Sequence, residues 1–318
     1  MNVSSPSPPV ARRVFLEKSL KGATALALSG LISFTPSKGM GADRYPGFLN
    51  LPLPQYPAWT ADGKLLVTFI AEDGSYGLFE RQSEGKNSAS LLSVGASIGK
   101  FNWPQGIAVD KSIAYIVDSN NGRIQRLDLD EQRFLEPFGG LGKKSGLLLR
   151  PQGICVHENE IFIADTRNHR IQVFSIDGVV KRIFGELGDA NDQFRLPTSC
   201  AVSPQGDVFV VDSKHAFIKV FGIEGRYRRK FGGIASFRKE PGLFSMPTGI
   251  ALDAKREMIY VADTGNSRIQ VFDYSGRFLR LVDASGMTLK TPQGIALLDF
   301  EIMAISDPDS NRVWITVV

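Results

Sequence analysis

From Pro151 to Phe174 the chain reads Pro-Gln-Gly-Ile-Cys-Val-His-Glu-Asn-Glu-Ile-Phe-Ile-Ala-Asp-Thr-Arg-Asn-His-Arg-Ile-Gln-Val-Phe. Three short β-branched and aromatic runs lie in this stretch: Ile154 to Val156, Ile161 to Asp165, and Arg170 to Phe174. A fourth, Val179 to Phe184, follows an Asp-Gly turn and is closed by Gly185. Runs of this length split by turn residues predict four antiparallel strands joined by tight turns.

The same unit recurs along the chain. Its opening proline returns at Pro57, Pro104, Pro151, Pro197, Pro247 and Pro292, with gaps of 47, 47, 46, 50 and 45 residues. Pro-Gln-Gly-Ile-Ala-Val at Pro104, Pro-Thr-Gly-Ile-Ala-Leu at Pro247 and Pro-Gln-Gly-Ile-Ala-Leu at Pro292 are close copies. Pro197 opens a looser one, Pro-Thr-Ser-Cys-Ala-Val. Nothing at helical period competes after the first 40 residues. Six four-stranded units around an axis predict an all-β, six-bladed β-propeller with blades starting near those prolines.

The ring must close, because an open one exposes a strand edge and two apolar blade faces. The last unit ends at Val318 after its third strand, while Asp43 to Leu51 precede the first unit without a blade of their own. The N-terminal segment is therefore expected to supply the outer strand of the last blade.

Asp-Thr-x-Asn-x-Arg-Ile-x-Val-Phe, seen as Asp165 to Phe174 and again as Asp263 to Phe272, resembles the motif of NHL repeats. The resemblance runs over residues 50 to 318 and implies the same six-bladed ring. Asp118 and Arg123, Asp165 and Arg170, Asp263 and Arg268, and Asp307 and Arg312 keep one spacing across a turn. Asp suits turn amides and Arg suits nearby carbonyls, so a pair found in four blades reads as scaffold.

Residues 1–42 form a segment distinct from the propeller at 43–318. Ala-Arg-Arg-Val-Phe-Leu-Glu-Lys from Ala11 to Lys18 looks like a twin-arginine export signal, carried by Arg12, Arg13, Phe15 and Leu16. The apolar stretch from Gly22 to Phe34 spans only about 20 Å as a helix, against about 30 Å of bilayer core, which disfavours a stable membrane anchor. The resemblance implies cleavage, export to the periplasm or beyond, and the twin-arginine translocase as a transient partner. Five of the 37 basic residues and one of the 33 acidic ones lie in this segment, so the remainder is formally neutral with 32 of each. A neutral exported chain argues against nucleic acid as a partner, although some NHL-repeat domains bind RNA through a basic face.

Antiparallel order places the loops after the second and fourth strands on one face. There the channel mouth is expected to be ringed by Gln105, Gln152, Thr198, Thr248 and Gln293, with Tyr56, Trp103, Arg150 and Met246 beside them. That ring suits a small polar ligand, a peptide segment or ordered water. The loops on this face differ in charge, and Phe237 between Arg238 and Lys239 is the sharpest partner anchor. Cys155 and Cys200, on adjacent inner strands, read as small apolar packing.

Two enzyme families also resemble this architecture. A peptide-amidating lyase holds a central zinc on inner-strand histidines, but the matching positions here are Gln105, Gln152, Thr198, Thr248 and Gln293. The three histidines, His157, His169 and His215, lie in turns on two faces, leaving at most a rim metal shared by His169 and His215. Gluconolactonase-like esterases hold a divalent cation on channel acids, for which only Glu72 and Asp73 of the first blade stand out. No catalytic residue or cofactor is predicted, and a divalent metal enters only through these two resemblances. The residues favour a binding or scaffolding protein that recognises a protein, peptide or small polar ligand on its loop face.

Overall fold

The computed structural model describes residues 34–36, 47–71, 73–81, 87–235, 240–283, 286–299 and 301–318. Arg12, Arg13, Phe15, Leu16, Phe237, Arg238 and Lys239 lie outside the described residues. No helix among the described residues is long and apolar enough to cross a membrane.

The chain is an all-β six-bladed propeller. Blade 1 comprises Pro54–Trp59, Leu65–Ile70, Tyr76–Arg81 and Asn87–Leu92. Blade 2 comprises Pro104–Asp110, Ile113–Asp118, Arg123–Asp128 and Arg133–Gly139. Blade 3 runs Ile154–His157, Glu160–Asp165, Arg170–Ser175 and Val180–Phe184. Blade 4 runs Pro197–Val202, Asp207–Asp212, Phe217–Gly222 and Tyr227–Gly232. Ile250–Asp253, Met258–Asp263, Arg268–Asp273 and Phe278–Leu281 form blade 5. Ile295–Leu298, Ile302–Asp307 and Arg312–Val317 begin blade 6.

Blade 6 is completed from the other end of the chain, as the strand count requires. Gly47–Asn50 pairs antiparallel with Arg312–Val317, with Leu49 opposite Val313. A fifth strand, Phe34–Pro36, pairs outside it and falls within the segment read above as a leader. Leu51 N–H donates to Asn311 O at 3.0 Å, carrying the chain from closing strand to blade 1.

Six apolar clusters fill the six blade boundaries. The innermost strands touch in a closed ring, the last against the first. They approach closely because most blades carry glycine after the Pro-Gln or Pro-Thr pair. A Cβ added at Gly249 would lie 1.9 Å from Gln293 O, a backbone atom of the next blade. Gly249→Ala is therefore expected to destabilise the ring by about 1–3 kcal/mol or more through overpacking, read by chemical denaturation.

Blade 1 differs from the others in register. Tyr56 N–H donates to Thr68 Oγ1, as Gly294 N–H donates to Ser306 Oγ. Thr68 Oγ1 in turn donates to Gln105 O, as Ser306 Oγ donates to Gln55 O. The residue equivalent to Pro104 is thus Pro54, three residues before Pro57. Tyr56 stands where blades 2, 3, 5 and 6 have glycine, and its ring enters the axial channel.

Candidate functional site

The face bearing the loops between blades is built by one repeated turn. Asp165 is fully buried. It accepts from Leu149 N–H at 2.7 Å, Asn168 Nδ2 at 2.8 Å, Arg170 Nε at 2.8 Å and Gln172 Nε2 at 2.9 Å. Arg170 also donates to Lys144 O and Leu147 O, tying the connecting loop to its blade. Asp118 with Arg123 and Asp263 with Arg268 repeat the pairing at 2.8 and 2.7 Å. The fourth spacing match does not pair this way. Arg312 lies over the Phe48 and Trp314 rings at 4.1 and 5.0 Å, while Asp307 accepts from Thr291 N–H and Trp314 Nε1. The closing strand supplies Phe48, and the guanidinium gains a desolvated aromatic face there.

The polar ring at the channel mouth binds its own neighbours. Gln105 is buried and donates from Nε2 to Gln55 Oε1 at 2.8 Å. Thr198 is also buried, with Oγ1 donating to Thr248 O at 2.9 Å. Thr248 Oγ1 lies 2.7 Å from Thr264 Oγ1. Gln152 and Gln293 are half-buried. Gln55 is the ring member that the Pro57 register hides. The ring is thus largely an inter-blade clasp.

Trp103 and Arg150 project outward beside it, both at positive φ, as do Leu53 and Met246. Each precedes a repeat proline, and the left-handed conformation turns the side chain away from the crowded inner strands. Farther out, the connecting loops fold back in four parallel bridges: Val94 with Phe101, Leu141 with Leu148, Leu187 with Phe194, and Ile234 with Phe244. The second member of each is fully buried and anchors the loop, while the first is 57, 61, 60 and 75 % exposed, respectively. Of the twelve exposed large apolar side chains among the described residues, eight are on this face: these four, Leu53, Ile98, Trp103 and Met246. The other four, Val179, Leu279, Leu281 and Val317, sit on third or fourth strands or the turn before one.

A pocket of about 490 Å³ opens on the same face between blades 3 and 4, lined by Arg167, His169, Leu187, Asp189, Arg195, Leu196, Lys214 and His215. Beside it, blade 4 breaks the repeated turn. Phe217 replaces the arginine, and the fully buried Asp212 pairs instead with His215 Nδ1 at 2.6 Å and the buried Lys219 Nζ at 2.9 Å. Lys219 also donates to Gln193 O and Ala190 O of the loop. Asp189, held below its usual range by His215 and then Arg195, bridges these two side chains at 2.9 Å each. Leu196 N–H donates to His169 Nδ1 at 3.1 Å, which leaves Nε2 as the protonated nitrogen of the neutral ring. Burial, then Arg167, lowers the His169 pKa. The pocket brings His169 and His215 together beside Arg167, Asp189, Arg195 and Lys214.

The axial channel has a different chemistry. Its cavity of about 250 Å³ is walled by Ile107, Ala108, Ile154, Ile250, Ile295 and similar residues, with Tyr56, Trp59, Ser199, Cys155 and Cys200 as the other side chains of note. Among the described lining residues there is no carboxylate or imidazole, so the donor set of either resembling metalloenzyme does not fit there. Asp73 instead accepts from Ser75 in an exposed turn. No cluster of three His, Cys, Asp or Glu side chains that could hold a metal is present among the described residues.

This arrangement defines a repeat propeller with an asymmetric loop face. The model of the NHL repeat family matches two of its repeats, at residues 148–174 and 244–272. No curated protein sequence matches the chain. Among solved structures, a gluconolactonase from Xanthomonas campestris is similar with a TM-score of 0.64 at 16 % identity, covering 90 % of this chain and 98 % of its own. A virginiamycin B lyase from Staphylococcus aureus has a TM-score of 0.59 at 13 % identity, covering 85 % and 98 %. A chain of a nidogen/laminin complex also has 0.59, at 16 % identity, covering 83 % and 97 %. At such identities the likeness is one of fold, which binders and enzymes share.

Proposed function

We propose that this protein is a binding propeller that docks a protein partner on its loop face. The observation that carries the reading is the gathering of eight exposed large apolar side chains on that face, four of them presented by buried anchors at equivalent loop positions. Apolar side chains so displayed mark interaction surfaces more often than chance exposure does. In the pocket between blades 3 and 4, Asp189 pairs with Arg195 and His215, while Arg167 and Lys214 give the face a direction, favouring an acidic segment of the partner. That one similar structure is a chain of a nidogen/laminin complex is in keeping with such a role. The ring itself acts as a rigid platform and performs no chemistry in this reading.

Substituting Leu141, Leu187 and Ile234 together by Asp is expected to reduce partner capture at least tenfold without changing the melt. Substituting Val179, Leu279 and Leu281 by Asp serves as the rim control and should leave capture unchanged. Equal capture by both variants would refute the loop-face assignment.

We further propose that the protein works outside the cytoplasm, exported by the twin-arginine translocase and cleaved after residue 42. Support comes from Arg12, Arg13, Phe15 and Leu16 followed by a short apolar stretch. Replacing both arginines by lysine should hold the chain in the cytoplasm, and undiminished export would overturn this.

A further inference from the structure

Cys155 and Cys200 occupy different repeat positions, the fifth in blade 3 and the fourth in blade 4, where close copies carry Ala and Ile. The offset does not separate them. Their sulfurs lie 3.5 Å apart across the blade boundary, and both are free thiols in the wall of the axial channel. The inner strands are pressed together just beside them, since a Cβ on Gly153 would come 2.6 Å from Ser199 Cα. Simple packing needs neither sulfur, because alanine and isoleucine fill these positions elsewhere.

We propose that Cys155 and Cys200 form an oxidative modification site, at which a small peroxide-class oxidant installs a disulfide that staples blade 3 to blade 4. Closing the gap to about 2.05 Å calls for a sulfur movement of about 1.5 Å. Cys155 is half-buried and Cys200 is 3 % exposed, so Cys155 meets the oxidant first. The Cys200 contact and then burial push its thiol pKa up, so the attack on one peroxide oxygen runs slowly through the thiolate; the S–O bond forms, the O–O bond breaks, and the leaving hydroxide takes up the thiol's proton as one water. The Cys200 sulfur then attacks the sulfenic sulfur, forming the S–S bond and releasing the hydroxyl with the Cys200 proton as a second water. Two thiols are oxidised by two electrons and one peroxide is reduced to two waters.

The product is neutral, which suits a channel wall whose described residues include no charged side chain. The cavity of about 250 Å³ takes a peroxide-sized molecule far more readily than a bulky disulfide reagent. The third and fourth blades are joined covalently only through the chain between residues 155 and 200, and the new bond shortens that connection to one side-chain bridge.

The test uses the full-length protein purified with reductant, desalted, and exposed to hydrogen peroxide. After denaturation and maleimide labelling, intact mass is expected to fall from two labels to none, with the unlabelled protein lighter by two hydrogens and monomeric on a non-reducing gel. The melting temperature of the oxidised protein should rise, and reductant should reverse it. Cys155→Ala and Cys200→Ala, each retaining one thiol, should show neither the bridge nor the reversible rise. Two labels after peroxide, sulfinic acid at either cysteine without a bridge, or an intermolecular dimer would each overturn the proposal.

Discussion

Removing the chain through Leu51 is expected to lower the melting temperature by about 10 °C or more. Gly47–Asn50 supplies the outer neighbour of Arg312–Val317, and its Leu49 is fully buried, as is the following Leu51 to within 1 %. Loss of each leucine from such a position costs about 2–5 kcal/mol. For a chain of this size each kcal/mol moves the melt by about 2–4 °C. The truncation also uncovers Val313 and Ile315 and removes the Leu51 amide that donates to Asn311 O. Phe48→Ala, which removes only the contact with Arg312 and Trp314, should cost far less. A truncated protein that melts with the intact one would mean that blade 6 closes by other means.

Asp212→Ala is the second large effect, expected to cost about 3–5 kcal/mol because it strands a buried ammonium. Lys219 is 1 % exposed and has Asp212 at 2.9 Å as its counter-charge. Lys219→Gln should cost much less than half as much. Glutamine holds the equivalent position in blades 2, 3 and 5, where Gln125, Gln172 and Gln270 each donate to the buried aspartate and a loop carbonyl. Urea unfolding of the two variants measures the asymmetry. Comparable losses would mean that the ammonium itself, not its desolvation, holds this turn.

The ring was legible from the repeated proline and the Asp-x-x-Asn-x-Arg turn, because strand length, turn chemistry and period all agree at those positions. Closure by the N-terminal segment followed from a missing fourth strand. Blade 1 was read three residues out of register because Tyr56 and Pro57 stand where other blades have glycine and isoleucine, and the nearer proline to the expected spacing was the wrong one. The exposed loop positions were obscured differently. Leu141, Leu187 and Ile234 each lie two residues after the glycine that closes a blade, but an apolar residue there reads as buried until its bridge partner takes the core side. The blade 3–4 pocket had a visible sign in the spacing of Asp212, His215 and Lys219, which replaces Asp, Asn and Gln of the other turns. Spacing alone does not say that a cavity lies beside them. The polar mouth residues find partners within the ring, since adjacent inner strands bring side chains such as Gln105 and Thr198 within reach of a neighbour's backbone or side chain.

The docking claim is tested most directly by site-specific photo-crosslinking in the native cell. A photoactivatable residue would be placed in turn at Leu141, Leu187 and Ile234 on the loop face, and at Val179 and Leu279 on the rim. Docking on the loop face should give one common adduct of defined mass from the three loop-face positions and none from the rim. Adducts arising only from the rim, or none from any loop-face position, would contradict it.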